Sequence, residues 1–382
     1  MTARKTVIRV MYFTAVLTFC SLYAAQPIQP VFQQEFGLSG LQAILFTTLM
    51  MAPLGVAPLF YGILLEAYPA RSLLRGAVLL LAVLEILFAC TTSYVFLLTI
   101  RGVQGLLIPA ILTSLMSYIS YTSPADKVQH NIAMYIGSTI MGGFLGRFLS
   151  GLSTDIFGWR FFFFFLGVGL LVCFILLGGL KKDIKMSYVR LRTVDLVRLL
   201  RQPQFRYLYC CIFCLFFAFA ALMNFLPFEL RRMEVSLGQT GVGLLYLGYI
   251  SGVVVCMNNS RIISFFGNEM RAVSAGVLIF AAGTLVFMAE QYQVMFLGMF
   301  VFCTGFFLAH SLLSGLVNKL AEANKALANG MYISFYYLGG TFGSFLPGIV
   351  FEHFGWHAFL CVLLSMLLAT FFFLQLLSRD SS

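Results

Sequence analysis

Apolar residues in this chain gather in long continuous runs and do not alternate with polar ones. Twelve runs stand out, at 8–30, 41–64, 72–92, 94–121, 128–153, 160–180, 206–229, 238–263, 270–290, 292–318, 326–351 and 356–378. At a rise of about 1.5 Å per residue, about twenty apolar residues make a helix as long as the hydrocarbon core is thick. A membrane β-barrel would instead show alternating strands of about ten residues. Short loops separate most runs, and the one long polar connection, 181–205, falls between the sixth and the seventh. The pattern predicts an all-α integral membrane protein of twelve transmembrane helices in two six-helix bundles, 1–180 and 206–382, joined by a linker at 181–205.

The two halves repeat. Gly142-Gly143-Phe144-Leu145-Gly146, followed by Asp155 and Phe157-Gly158-Trp159, returns as Gly339-Gly340-Thr341-Phe342-Gly343, followed by Glu352 and Phe354-Gly355-Trp356. Every matching position lies at an offset of 197, about half the length, so the chain reads as a duplication with pseudo-symmetric bundles. Like-oriented halves in a chain this hydrophobic predict a substrate path at the repeat interface. The glycines at 142, 143, 146, 339, 340 and 343 form small-xxx-small surfaces on which helices approach closely and can slide or bend.

Composition agrees: 60% of residues are hydrophobic and only 10% charged, with a mean hydropathy of +0.94. If the N-terminus is cytoplasmic, nineteen of the 24 Lys and Arg residues fall in inner segments, which predicts both termini inside. The net charge of +10 is then topological, and no nucleic-acid partner is needed to explain it. The first run lacks a small-residue cleavage pattern and reads as the first crossing. Within the linker, Thr193 to Arg201 reads as a short amphipathic helix, capped at Thr193 and stopped before Pro203, resting on anionic membrane lipid. A tether between the halves is the main reading of it, and a lipid-sensing or regulatory role the alternative. The nine cysteines sit in or beside apolar runs and read as packing residues, with no metal site expected at Cys210, Cys211 and Cys214.

Ionisable groups are costly in hydrocarbon, which makes Glu85, Arg101, Arg147 and His310 the proton-coupling candidates, groups whose protonation or pairing changes during transport. Glu85 and Arg101 fall at similar depth on neighbouring spans and are placed to form an ion pair. The alternative is a static pair that fixes packing, or a Glu85 that snorkels outward to the interface, with His310 as a hydrogen-bonded core histidine. Tyr23 and Gln26, next to Pro27, are candidates for a substrate cavity, as are Gln104, Asn224, Asn258, Tyr332 and Tyr336. The alternative for these is interhelical hydrogen bonding.

Four segments resemble signatures of the major facilitator superfamily, and the resemblance covers the whole chain. Gly62-Ile63-Leu64-Leu65-Glu66-Ala67-Tyr68-Pro69-Ala70-Arg71 is similar to its G-x-L-x-D-R-x-G-R loop at Gly62, Leu64 and, loosely, Glu66 and Arg71. The second glycine and the next arginine of that signature are missing. The resemblance implies a cytoplasmic gating loop at Gly62, Glu66 and Arg71. Arg101-Gly102-Val103-Gln104-Gly105, with Pro109, looks like the R-x-x-Q-G motif and implies a role for Arg101 in proton coupling. Gly142 to Arg147 and Tyr23-Ala24-Ala25-Gln26-Pro27 look like the bacterial sugar- and drug-efflux branch.

The expectation is a secondary active transporter of a bacterial inner membrane, exporting a small organic molecule in exchange for protons by alternating access. It would act as a monomer, with no cofactor and no enzymatic activity. No G-x-x-x-x-G-K-[ST] loop is present, so energy would come from a gradient. The outer loops hold only isolated acids, which does not fit a catalytic set. An importer or uniporter of a small solute, or a non-transporting sensor on the same scaffold, remains the alternative.

Overall fold

A computed structural model of the chain describes residues 2–67, 69–124, 127–180, 193–233, 238–321 and 325–380, all of it helix and connecting turns. In chain order the helices are α1 (Thr2–Tyr23), α2 (Gln29–Phe36), α3 (Gly40–Ala67), α4 (Ala70–Cys90), α5 (Tyr94–Thr122), α6 (Val128–Phe157) and α7 (Trp159–Leu176). They continue with α8 (Thr193–Arg201), α9 (Pro203–Arg232), α10 (Gly238–Leu245), α11 (Tyr249–Met257), α12 (Asn259–Phe266), α13 (Glu269–Val286), α14 (Tyr292–Leu320) and α15 (Lys325–Asp380).

Ten described stretches are long and apolar enough to cross a membrane, and Val7–Tyr23 is a shorter apolar one. The longest, in α15, is interrupted at Gly355, whose φ of 79° is not helical, so it counts as two crossings and the total among the described residues is twelve. Gly158, between α6 and α7, has a φ of 87° and is the repeat mate of Gly355. Both Phe-Gly-Trp segments therefore turn on a backbone conformation that favours glycine. The two tryptophans that follow are anchored by their ring N–H, Trp159 donating to Glu35 Oε2 at 2.6 Å and Trp356 to the Phe287 carbonyl at 2.8 Å.

The chain forms two compact units. Unit 1 comprises Met1–Gly37, Leu45–Arg190 and Leu237–Gly243, and unit 2 comprises Leu38–Ile44, Leu191–Ser236 and Leu244–Ser382. The sequence repeat is visible as packing inside each. In unit 1, a Cβ on Gly142 would stand 2.4 Å from the Val16 carbonyl oxygen, and one on Gly146 2.6 Å from Cys20 Cα. In unit 2, a Cβ on Gly339 or Gly343 would stand 2.2 Å from the carbonyl oxygen of Phe213 or Phe217. Phe213 and Phe217 are themselves the repeat mates of Val16 and Cys20, so α9 crosses α15 in the register in which α1 crosses α6. Gly340 is buried beside this contact.

Gly343→Ala should therefore lower the unfolding temperature in detergent by several degrees, because the neighbouring atom is backbone and overpacking costs about 1–3 kcal/mol. Gly137→Ala, where nothing lies within 4 Å of the new methyl group, should leave it unchanged or raise it. Equal melting of the two variants would show that α9 and α15 yield without cost.

Of the linker, α8 is described and 181–192 lie outside the described residues. Helix α8 leaves Val194, Val197, Arg198 and Arg201 exposed and half-buries Leu196, Leu199 and Leu200.

Candidate functional site

Within unit 1, polar residues at membrane depth collect where the first crossing stops being helical. The run at 8–30 is not one helix, because α1 ends at Tyr23 and α2 starts at Gln29. Pro27 has no N–H to offer the Tyr23 carbonyl four residues back, and Gln26 N–H donates there instead, at 3.1 Å. The carbonyls at the end of α1 lose their in-helix donors and need partners in a dry place.

Arg101, on α5, is one such partner. Its Nη1 and Nη2 both donate to the Ser21 carbonyl at 3.2 Å, its Nε donates to the Phe46 carbonyl on α3 at 2.8 Å, and Nη1 also reaches Gln104 Oε1 at 3.0 Å. The guanidinium is completely buried, and its central carbon, Cζ, lies 5.5 Å from the centre of the Phe88 ring. Gly105, next along the motif, lets α5 close on α3, since a Cβ there would stand 2.5 Å from the Met50 carbonyl oxygen.

Glu85, on α4, reaches the same serine. The Ser21 hydroxyl donates to Glu85 Oε1, and the carboxyl is 0% exposed. Glu85 Oε2 and Gln104 Nε2 lie buried without a hydrogen bond of good geometry. Glu85 and Arg101 are close enough for their charges to act on each other, but they do not make the direct ion-pair contact expected. Both residues do lie at one depth, but Ser21 stands between them, giving its hydroxyl to the acid and its carbonyl to the base.

Arg147, on α6, grips the other side of the same break. Its Nε donates to Gln26 Oε1 at 2.6 Å and its Nη1 to the Gly143 carbonyl at 2.7 Å, while its charge sits 4.0 Å from the centre of the Tyr23 ring. Ser150, one turn further on, donates to the Ala24 carbonyl at 2.7 Å. Gln29 Nε2 ties α2 to Thr47 of α3 at 2.8 Å. Tyr23, Gln26, Glu85, Arg101, Gln104 and Arg147 thus come together as one network around the gap between α1 and α2.

Unit 2 holds a second cluster. His310 on α14 and Tyr332 on α15 are joined twice: Nδ1 lies 3.0 Å from the tyrosine oxygen, and the tyrosine hydroxyl donates to the His310 carbonyl at 3.0 Å. Tyr336 lies one turn beyond Tyr332, with its ring 5.0 Å from the imidazole and stacked at 3.6 Å on Phe216 of α9.

The remaining described candidates make hydrogen bonds of their own. Asn224 is buried in α9 and donates to the Ala220 carbonyl of its own helix at 2.7 Å. Asn258 lies at the junction of α11 and α12, bonded to the Val254 carbonyl at 2.8 Å and to Arg261 at 3.3 Å. Its neighbour Asn259 instead bridges to Ser311 of α14. Arg71 donates to the Gly178 carbonyl at 3.0 Å. Gly62 and Glu66 lie on the backbone of α3, where the side chains at 58–67 are outside the described residues.

The sequence pattern does not single out Ser21, Ser150 or the Phe46 carbonyl. Serine is common in membrane helices, and a backbone carbonyl leaves no mark in a sequence; the only available signal was Pro27, which predicts that carbonyls just before it need outside donors.

Known proteins similar to this chain are transporters. It is 28% identical over 372 residues to the inner membrane transport protein YnfM of Escherichia coli, covering 93% of this chain and 87% of that protein. It is 20% identical over 351 residues to the quinolone resistance protein NorA of Staphylococcus aureus, covering 90% and 89%. Among solved structures, the nucleoside transporter NupG superposes with a TM-score of 0.74 at 15% identity over 98% of this chain and 99% of that one. A bacterial homologue of the lysosomal transporter Spinster gives 0.69 at 13% identity, over 99% and 96%. These two share the fold. The sequence profile of the Major Facilitator Superfamily matches residues 11–324, and the chain belongs to that family of membrane transporters.

Proposed function

We propose that this protein is a secondary active transporter that exports a small organic molecule in exchange for protons, with Glu85 as the proton-binding group and Arg101 as the group that responds to it. One observation supports the reading above the others: Glu85 and Arg101 bind the same residue, Ser21, at the end of the broken first crossing.

An ionised carboxylate only accepts hydrogen bonds, whereas a protonated one also donates. Proton binding at Glu85 therefore removes the charge beside the Ser21 hydroxyl and places a donor where there were only acceptors. Ser21 also carries the carbonyl that Arg101 holds, so the change is transmitted to the gap between α1 and α2, where Gln26 and Tyr23 meet Arg147. A guanidinium stays protonated in proteins, so Arg101 and Arg147 act by holding the break and by their charge. The direction of transport is supported by the likeness to a quinolone resistance protein, and an inner membrane by the likeness to YnfM. The linker at 181–205 serves as the tether between bundles at 1–180 and 206–382, and the loop around Gly62, Glu66 and Arg71 as the cytoplasmic gate.

Everted vesicles containing the protein, loaded with a proton gradient and a pH-sensitive dye, test this directly. Addition of cargo from a panel of quinolones, sugars and aromatic phenols should collapse part of the gradient, and vesicles without the protein should give no response. Cargo uptake that moves no protons would replace exchange with uniport.

A further inference from the structure

We propose that His310 is the hydrogen-bond-accepting end of an aromatic subsite, built for a planar, uncharged ligand that carries an O–H or N–H donor. The proposal rests on the chain being a transporter with a substrate site, and it gives His310 to the cargo and not to the protons.

The tautomer follows from Tyr332. A phenol has one hydrogen, and that of Tyr332 is given to the His310 carbonyl. The tyrosine oxygen is left as an acceptor, so the hydrogen bond to Nδ1 requires the hydrogen to sit on Nδ1. In the neutral ring this makes Nε2 a bare lone pair, and no described residue donates to it. The ring is half-buried, whereas Tyr332 is 3% and Phe306 1% exposed.

Aromatic rings pack around the imidazole. The Phe306 ring lies 5.7 Å from the imidazole at an interplanar angle of 10°, and that of Tyr332 5.8 Å away at 14°. Tyr336 leans over it at 5.0 Å and is itself backed by Phe216. These residues come from α9, α14 and α15, all within unit 2, so the subsite is held by one rigid set of packed rings. Faces of this kind stack on a flat ring. Nε2 accepts, so at this position the subsite selects a ligand with a donor and disfavours an anion, which would bring lone pairs against a lone pair.

Equilibrium dialysis of 2-naphthol and 2-methoxynaphthalene against purified protein in lipid nanodiscs, corrected with empty nanodiscs at neutral pH, tests the assignment. The two probes share a ring system and differ in the donor. The naphthol should bind about tenfold more tightly, the usual worth of one hydrogen bond to a buried acceptor. His310→Phe keeps the stack and should bring the two affinities within about twofold, while His310→Gln, which retains an acceptor, should restore part of the preference. Equal binding by the wild type, binding of neither probe above empty nanodiscs, or a preference that survives His310→Phe would each overturn the proposal. No proton gradient is present, so the outcome is independent of coupling. A preference without proton exchange in vesicles would keep the subsite and remove the antiport reading, and the reverse result would do the opposite.

Discussion

Arg101→Ala is expected to abolish proton-coupled transport, by a factor of a hundred or more, in protein that still inserts. The guanidinium is the only described donor to the Ser21 carbonyl, and it also serves the Phe46 carbonyl and Gln104 Oε1. Alanine leaves these acceptors in a dry interior, where each unmet one costs about 1–3 kcal/mol. It also leaves Glu85 in the same interior without its neighbouring positive charge, and a buried charge so exposed either neutralises or opens the packing. Arg101→Lys separates charge from geometry. An ammonium cannot span Phe46, Ser21 and Gln104 at once as a planar fork does, so the lysine variant should insert and fold better than the alanine variant yet regain little coupling. Vesicle proton exchange reports the first property and size-exclusion homogeneity in detergent the second. Full coupling in the lysine variant would reduce the role of Arg101 to its charge; full coupling in the alanine variant would remove the role.

Much of this arrangement is legible in the sequence, and the rest is hidden for identifiable reasons. Run length alone gives the crossings, because the bilayer imposes a length that soluble folds do not. The repeat at an offset of 197 gives more than topology. It pairs Gly142 with Gly339 and Val16 with Phe213, and these four residues make the same close contact in the two units. The cost of a buried guanidinium singles out Arg101 and Arg147 without any structure. Their targets were not legible. Depth alone pairs Arg101 with Glu85, whereas its main partners are two backbone carbonyls, one of them exposed by the way α1 ends. Ser21 acts through both its hydroxyl and its carbonyl, and nothing in Phe19-Cys20-Ser21-Leu22 marks it. His310 among Leu308, Ala309 and Leu312 is likewise ambiguous, since its tautomer is decided by Tyr332, 22 residues away on another helix.

The second large effect is expected at Glu85. Glutamine has nearly the same shape and can still accept from the Ser21 hydroxyl through Oε1, so Glu85→Gln should insert, fold and bind cargo. It cannot gain or lose a proton, and it resembles the neutral acid in placing a donor where the charged form has only acceptors. The variant should therefore exchange labelled cargo across the membrane at equal concentrations while failing to accumulate it against a gradient. Its exchange rate should be flat between about pH 5 and 8, the range over which a wild type that moves protons must vary, because proton binding is then part of its cycle. Concentrative export falling at least about tenfold with exchange preserved is the signature of lost coupling, and it differs from the Arg101 variants, which should lose exchange as well. If Glu85→Gln accumulates cargo with the wild-type pH profile, the proton is carried elsewhere. Ser21 and Glu85 would then be a packing contact that happens to lie beside the arginine. If exchange is lost together with accumulation, the carboxylate itself holds α1 to α4, and the Ser21 hydrogen bond is structural. Only the split between the two assays assigns the proton to Glu85, because a group that binds cargo or fixes the fold would change both.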